Sequence, residues 1–529
     1  MAPLLPLVAL LACSPDQDVL DDTSPPEDTA PDPRFDALAA ALEADLAASH
    51  ALGLSVAVLE DGSVTYARGF GTRRIGEEVP PTPLTLFQIG STTKQMTAAS
   101  LLRAVESRAV RLDDTLATVL PDLAFAQDPT WSEQVTLHHL LTHQGAFYDW
   151  LPWAATSDDA ELADTTYGAF GDFIFLLADP GVFWNYSNPN FVLAGLVAEV
   201  SDTQGRMWPD LVREDLFLPL GMDRTYLRRS EVAADGDYAD SWGYGLDGIA
   251  SETLGEVPLD QVPDPAWARP AGLVWTTPTQ MLAWADFLMD GDPDVLSDAL
   301  RAELTREQVN TLYYGDTAWY GYGLLVERAF LTPDASFAVR VWEHGGNTLS
   351  FTSAFYVLPD QDFALSILAS GYGVDLTRSV EAALTTLVDL GEAGPPYAFP
   401  FDPEALDAHV GDYSDPWNVG DVRIGRTGDV LTIKMPLLGA YGYDVASELV
   451  PLSTDVWYVL IDQVPYDLTF VDDDDEGPSH WIRNRVFVAE RLDDQRQAAG
   501  TAPTRERVAQ ALARGRSAAL APPWAAGRP

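Results

Sequence analysis

Apolar residues recur at helical spacing from Phe35 to Ser49, then switch to alternation in Leu54–Leu59 and Val64–Arg68 on either side of Asp61-Gly62. The first pattern predicts an amphipathic helix; the second, interrupted by Asp-Gly, predicts a β-hairpin. Helical periodicity returns at Thr92–Ser107, Asn190–Ser201, Trp208–Phe217 and Thr279–Met289. Strand-like runs follow at Tyr322–Glu327, Arg340–Glu343, Ser353–Leu358 and Phe363–Leu368. Strands at both ends with helices between them predict one antiparallel sheet closed by the two ends of the domain, with an inserted helical region. Beyond Gly391-Glu392-Ala393-Gly394-Pro395-Pro396 the texture changes to short alternating strands separated by Gly and Asp. Examples are Val422–Ile424, Leu431–Lys434, Trp457–Leu460, Leu468–Val471 and Val486–Glu490, which predict a separate small β-barrel or sandwich. After Gln495 the chain is rich in Ala, Arg and Pro, as expected of a frayed helix or disordered tail.

The chain has 529 residues, 47% of them hydrophobic and 10% aromatic, enough to bury a large core. Acidic residues outnumber basic ones 80 to 31, for a net charge of -49. That field repels nucleic-acid phosphates and anionic lipid, which disfavours a nucleic-acid partner; the acidity is assigned to solubility or salt tolerance. Lys94 and Lys434 are the only lysines, and Cys13 is the only cysteine. An intramolecular disulfide and a zinc cluster of cysteines are thereby excluded.

Cys13 ends a short apolar run, Leu4–Ala12, too short to span a bilayer. The run resembles a bacterial lipoprotein signal, which implies cleavage before Cys13 and lipidation of its thiol; a plain secretory signal or a displaced start are the alternatives. Residues 14–34 are Asp, Pro, Thr and Ser with almost nothing apolar, a composition that cannot fold and that fits a tether. The organisation read from the sequence is therefore a signal over 1–13, a tether over 14–34, a main domain over 35–393, a β-domain over 394–495 and a tail over 496–529.

Three short motifs carry the chemistry. Ser91-Thr92-Thr93-Lys94 follows Gly90 at a predicted helix start and sets serine and lysine on one face. Alone, such a serine is more often a helix cap than a nucleophile. Tyr186-Ser187-Asn188 lies in a turn-like segment before a helix, and Glu343-His344-Gly345-Gly346-Asn347 ends a predicted strand with two glycines that allow close backbone approach. In this order the motifs resemble the serine β-lactamase and penicillin-binding superfamily, in its branch of class C β-lactamases, D,D-peptidases, D-aminopeptidases and esterases. The resemblance covers about Phe35 to Ser370. It implies an α+β fold with an antiparallel sheet flanked by helices, followed here by a barrel similar to the lipocalin-like domains appended to many members.

The resemblance also implies roles. Ser91 is the acylated nucleophile, and Lys94 and Tyr186 are the proton-handling groups, with the choice of base left open. Asn188 holds the lysine and the substrate amide, His344 and Gly346 belong to the third motif, and the backbone N–H groups of Ser91 and Asn347 form the oxyanion hole. His344 stands where class C β-lactamases carry lysine, so a permanent charge gives way to a group expected to titrate near neutrality. That argues against efficient β-lactam hydrolysis. Phe147-Tyr148-Asp149-Trp150 is expected to form an aromatic pocket wall suited to an apolar acyl group. No cofactor is implied; His138, His139 and His143 are read as structural, and the acidic run Asp472–Glu476 as a hairpin turn and not a calcium loop. The function expected is an exported serine hydrolase acting through an acyl-enzyme on a small or peptide substrate, touching the membrane only through a lipid at Cys13. The rival is a non-catalytic surface-binding lipoprotein that kept the fold.

Overall fold

A computed structural model describes residues 32–125, 127–149, 156–170, 174–246, 253–313, 315–472, 477–492 and 502–518. Cys13, all of the tether but residues 32–34, Trp150 and most of the Asp472–Glu476 run lie outside them. The main domain is built on an eight-stranded sheet in the order Ser63–Gly71, Gly53–Glu60, Phe363–Ala369, Thr352–Leu358, Val341–Asn347, Leu325–Glu327, Gly315–Tyr320, Val309–Leu312. Every pairing within it is antiparallel, and the first strand is joined to the last, Leu54 opposite Ala369, as the hydrophobic pattern predicts.

Alternation along the central strands divides the core in two. Leu54, Val56, Leu365 and Ile367 point to one face, where the helices Asp36–Ala48 and Thr377–Leu387 cover them with Leu42 and Leu384. Ala57, Leu59, Ala364 and Leu368 point to the other, against Met96, Leu101, Phe191, Trp208 and Trp284 of the inserted helices. Because both faces are covered, Phe363–Ala369 is buried at every position. The predicted helices form as Lys94–Glu106, Asn188–Val200, Trp208–Val212 and Pro278–Asp290.

Two differences from the sequence reading have local causes. The strand expected from Tyr322 begins only at Leu325, because Gly323 makes a turn at φ +83° so close to Lys94 that an added Cβ would sit 2.6 Å from the Lys94 carbonyl oxygen. The hairpin Val309–Leu312 and Gly315–Tyr320 was not anticipated, since its half-exposed positions carry no clear alternation.

The second sheet has eight strands in the order Val430–Lys434, Gly420–Thr427, Gly411–Asp415, Phe487–Arg491, Trp481–Asn484, Val464–Val471, Val456–Ile461, Val450–Pro451. The segment 445–449 bridges its two ends, with Leu449 N donating to Leu431 O at 2.9 Å and Ala446 N to Leu460 O at 2.9 Å, so the sheet nearly closes. Closure removes the exposed edges that an open sheet would present. The Ala/Arg-rich tail forms a helix, Arg505–Ala518, that inserts Val508 and Leu512 into the barrel core; the Tyr466 hydroxyl donates to Leu512 O at 3.0 Å. Apolar positions at i and i+4 on one face explain why it docks there.

Truncating Ile367, fully buried between the domain's first strand and its helices, is expected to destabilise this domain by about 3 kcal/mol in Ile367→Ala. Urea unfolding of the variant beside the wild type, followed by tryptophan fluorescence, measures it.

Candidate active site

The Ser91 turn is fixed before any catalytic group is considered. Gly90 adopts φ +54°, a conformation that favours glycine, and Ser91 follows within the 3-10 turn Gly90–Thr93 that leads into the helix Lys94–Glu106. The Thr92 hydroxyl donates to His344 O at 3.0 Å, and the Ser353 hydroxyl donates to Ile89 O at 2.7 Å. These bonds fasten the turn to the strands Val341–Asn347 and Thr352–Leu358. The approach is close enough to require glycine on both sides: a Cβ on Gly90 would lie 2.5 Å from Asn347 N, and one on Gly346 would lie 1.9 Å from Ile89 O. Val341–Glu343 pair with Leu325–Glu327 on their outer side, but that pairing stops before His344, leaving the strand edge at 344–347 without a neighbour in the sheet.

Lys94 is fully buried at the start of its helix. Its Nζ lies 3.0 Å from Ser91 Oγ, 2.8 Å from Asn188 Oδ1 and 2.6 Å from Ala271 O. The Ala271 carbonyl is held by the turn Arg269–Gly272, whose buried Arg269 pairs with Asp264 at 2.9 Å and also with Asp159. Asn188 opens the helix Asn188–Val200 and is turned by Asp149, whose Oδ1 accepts from Asn188 N at 2.9 Å and from Nδ2 at 3.1 Å. With both donors on Asp149, the amide oxygen of Asn188 is left facing Lys94. Tyr186 is hydrogen-bonded to Ser91, and its ring centroid lies 4.9 Å from Lys94 Nζ.

Arg485 completes the site from the barrel. It sits between the strands Trp481–Asn484 and Phe487–Arg491, donates from Nε to Asp149 Oδ2 at 2.8 Å, and lies 4.4 Å from the Tyr186 ring centroid. The barrel is docked by neighbouring contacts: Arg483 lies over the rings of Trp184 and Tyr313, and the Tyr313 hydroxyl donates to Asp467 at 2.8 Å.

These surroundings set the charges. Burial, and secondarily the positive Arg485, push the Lys94 ammonium well below the usual lysine range, against an opposing pull from Asp149. Burial pushes the Tyr186 phenol up, although Arg485 and the bond to Ser91 work against it. Burial would also raise Asp149, but Arg485 and the Asn188 N–H overrule it and keep the carboxylate ionised. His344 does not titrate near neutrality as expected of an isolated imidazole: burial and the proximity of Lys94 hold it down at about 3. Its Nδ1 bonds Gly345 O at 2.5 Å and its Nε2 lies 3.3 Å from the Tyr320 hydroxyl.

Ser91, Lys94, Tyr186, Asn188, His344, Gly346 and Asn347 are thus brought to one place. Sequence reasoning missed Asp149 as a charged partner, the carbonyl of Ala271, and Arg485. His143, read as structural with its neighbours, stacks on Tyr186 with centroids 4.2 Å apart and accepts from Ser187 N at 3.1 Å. His138 and His139 lie elsewhere, the first bonded to the Tyr322 hydroxyl at 2.9 Å and the second in a helix cap with Thr136. Asp149 meets the site through Asn188, whereas Phe147 of the expected wall is buried in the main core and Tyr148 is buried against Phe175, 4.8 Å away, in a cluster with Val471 and Val488 of the barrel.

The comparisons with known proteins bear on the family and the fold. The Beta-lactamase family matches residues 38–389. The chain belongs to that family. Penicillin-binding protein 4 of Amycolatopsis lactamdurans is 27% identical over 384 residues, covering 68% of this chain and 91% of its own. Protein flp of Staphylococcus aureus is 22% identical and covers 66% of this chain, which spans just under two thirds, 65%, of that relative's length. Among solved structures, the octameric penicillin-binding protein homologue from Pyrococcus abyssi matches with TM-score 0.56 at 22% identity, over 86% of this chain and 99% of its own. SurE matches with TM-score 0.63 at 20% identity, over 87% and 99%. A D-stereospecific amidohydrolase from Streptomyces sp. matches with TM-score 0.53 at 22% identity, over 67% and 99%. These likenesses show a shared fold, and the first two extend over the barrel as well.

Gly346→Ala is expected to force the strand off the Ser91 turn and slow covalent modification of the serine by about 100-fold, the scale of losing one oxyanion donor. Stopped reaction time courses with a fluorophosphonate, at unchanged circular dichroism, check it.

Proposed function

We propose that the chain is an acyl-serine hydrolase acting on a peptide, amide or ester, with Ser91 as nucleophile and Lys94 as its base. The observation that carries this reading is a fully buried lysine Nζ 3.0 Å from the serine oxygen, in surroundings that push its ammonium well below the usual lysine range. A neutral amine has two N–H bonds and one lone pair. Asn188 Oδ1 and Ala271 O accept the two N–H bonds, which leaves the lone pair to accept the Ser91 proton as Oγ attacks a carbonyl. Tyr186, kept as a phenol, passes a proton to the departing amine or alcohol and afterwards assists the water that frees the acyl group. The N–H groups of Ser91 and Asn347 receive the oxyanion, and the unpaired edge at 344–347 offers an extended substrate backbone hydrogen bonds.

A neutral His344 supplies no charge for a substrate carboxylate, which weighs against β-lactamase activity. Trp184, Tyr186 and Tyr320 form an aromatic side, with centroids of Trp184 and Tyr320 5.9 Å apart, that suits an apolar acyl residue. With D-stereospecific amidohydrolase and D-amino acid amidase among the fold neighbours, D-amino-acid amides and peptides are the substrates we favour. Export and lipidation at Cys13 belong to the same proposal and rest on the N-terminal sequence. The non-catalytic binding lipoprotein is disfavoured, since binding gains nothing from a buried lysine held beside an intact serine.

Intact-mass analysis after exposure to a fluorophosphonate and to a fluorescent penicillin, with Ser91→Ala in parallel, tests the reading. A fluorophosphonate adduct absent from the variant, and faster than any penicillin adduct, is expected. A folded wild type that takes up neither probe overturns it in favour of the binding protein.

A further inference from the structure

We propose that Arg485, on the barrel, is a positioning residue for the active site: through Asp149 it fixes Asn188 and hence Lys94, so the site is complete only while the barrel is docked. This rests on the acyl-serine reading above. The chain of contacts is continuous. Arg485 approaches Asp149 Oδ2 from Nε at 2.8 Å and from its terminal nitrogen at 2.7 Å. Asp149 Oδ1 takes both donors of Asn188, and Asn188 Oδ1 takes Lys94 Nζ at 2.8 Å.

Each link depends on the one before it. A carboxylate 10% exposed stays ionised in this setting only beside a counter-charge. Through Asn188 the carboxylate also faces Lys94, which the proposed chemistry needs neutral. Arg485 fills the need from the other domain. Without it Asp149 can hold its charge only by drawing a proton onto Lys94, and, free to turn, it no longer fixes the Asn188 N and Nδ2 donors that it accepts.

The barrel also braces the loop that carries Asp149. Phe175, stacked on the adjoining Tyr148, lies 4.6 Å from the Trp417 ring centroid, and Arg507 of the C-terminal helix lies 4.5 Å from Tyr148 and 4.6 Å from Phe175. Val471 and Val488 pack into the same cluster. The docking is thus aimed at the segment whose next residue meets Arg485.

The groups facing Lys94 are Ser91 from its own turn, His143 and Asp149 from the loop, Tyr186 and Asn188 from the helix entrance, His344 from the strand and Arg485 from the barrel. Both imidazoles are held neutral, so Asp149 and Arg485 are the two fixed charges of opposite sign acting on the amine. Removing Arg485 alone leaves the carboxylate dominant and favours the ammonium form.

The two-lysine composition makes the test direct. With carbon-13 at lysine Cε in the full-length protein, only Lys94 and the exposed Lys434 give signals, and Lys434→Arg assigns them. Arg485→Gln is expected to raise the Lys94 titration midpoint by about one pH unit or more. It should also slow fluorophosphonate labelling of Ser91 at neutral pH, with labelling recovered at higher pH. Combined with Asp149→Asn, the two effects on labelling should be strongly non-additive, because both substitutions break one chain. A folded Arg485→Gln variant with an unmoved Lys94 midpoint, or additive effects in the double variant, overturns the proposal. Should that variant not fold, Arg485→Lys decides: it keeps the charge and loses the two-pronged contact, so the midpoint should hold while labelling slows several-fold, and labelling at the wild-type rate overturns the proposal. A wild type that takes no label refutes the hydrolase reading, and the Lys94 titration then decides the role of Arg485 by itself.

Discussion

The structure around the active site depends on keeping one lysine out of water. Lys94 is fully buried, and a lone ammonium in that place would be prohibitively costly, so the protein must either pair it or discharge it. Burial and Arg485 push it toward the second, with acceptors for the amine hydrogens on Asn188 and Ala271 and a compensated Asp149–Arg485 pair close by. Much of the surrounding architecture serves these few contacts. The Arg269 pairs hold the turn bearing Ala271, and Gly323 lets the chain cross against the Lys94 carbonyl.

The same logic explains the neutral imidazoles. His344 and His143 share a low-dielectric space with Lys94 and Arg485, where another positive charge would be disfavoured both by burial and by repulsion. The third motif therefore contributes backbone edge and shape instead of charge. Its Gly346 lies against Ile89 at a distance that no side chain could occupy.

The barrel is a working part of this arrangement. Arg483, Arg485 and Asp467 form a polar seam with Tyr313, Trp184 and Asp149, and an apolar cluster of Tyr148, Phe175, Val471 and Val488 lies beside it. An open β-domain could slide against its neighbour; the nearly closed sheet, with the Arg505–Ala518 helix docked on it, presents Arg485 from a rigid turn.

Much of the main domain was legible in advance because its determinants are local. Helical and alternating periodicities marked the elements, and Ser91, Lys94, Tyr186, Asn188 and His344 were found through short motifs whose residues lie within a turn of each other. The outer hairpin Val309–Tyr320 escaped because it is half exposed and weakly patterned, and the tail helix because two or three apolar residues on one face look like fraying until a partner surface is known. The sequence by itself determined the central strands of the sheet, its flanking helices and the residue types of the candidate site, since hydrophobic period and motif spacing are properties of neighbouring positions. Only the tertiary structure decided the charge state of those residues, and that Arg485, 336 residues from Asp149 along the chain, is its ion-pair partner. Burial and electrostatic potential are sums over everything nearby in space, and no local pattern along a chain records them.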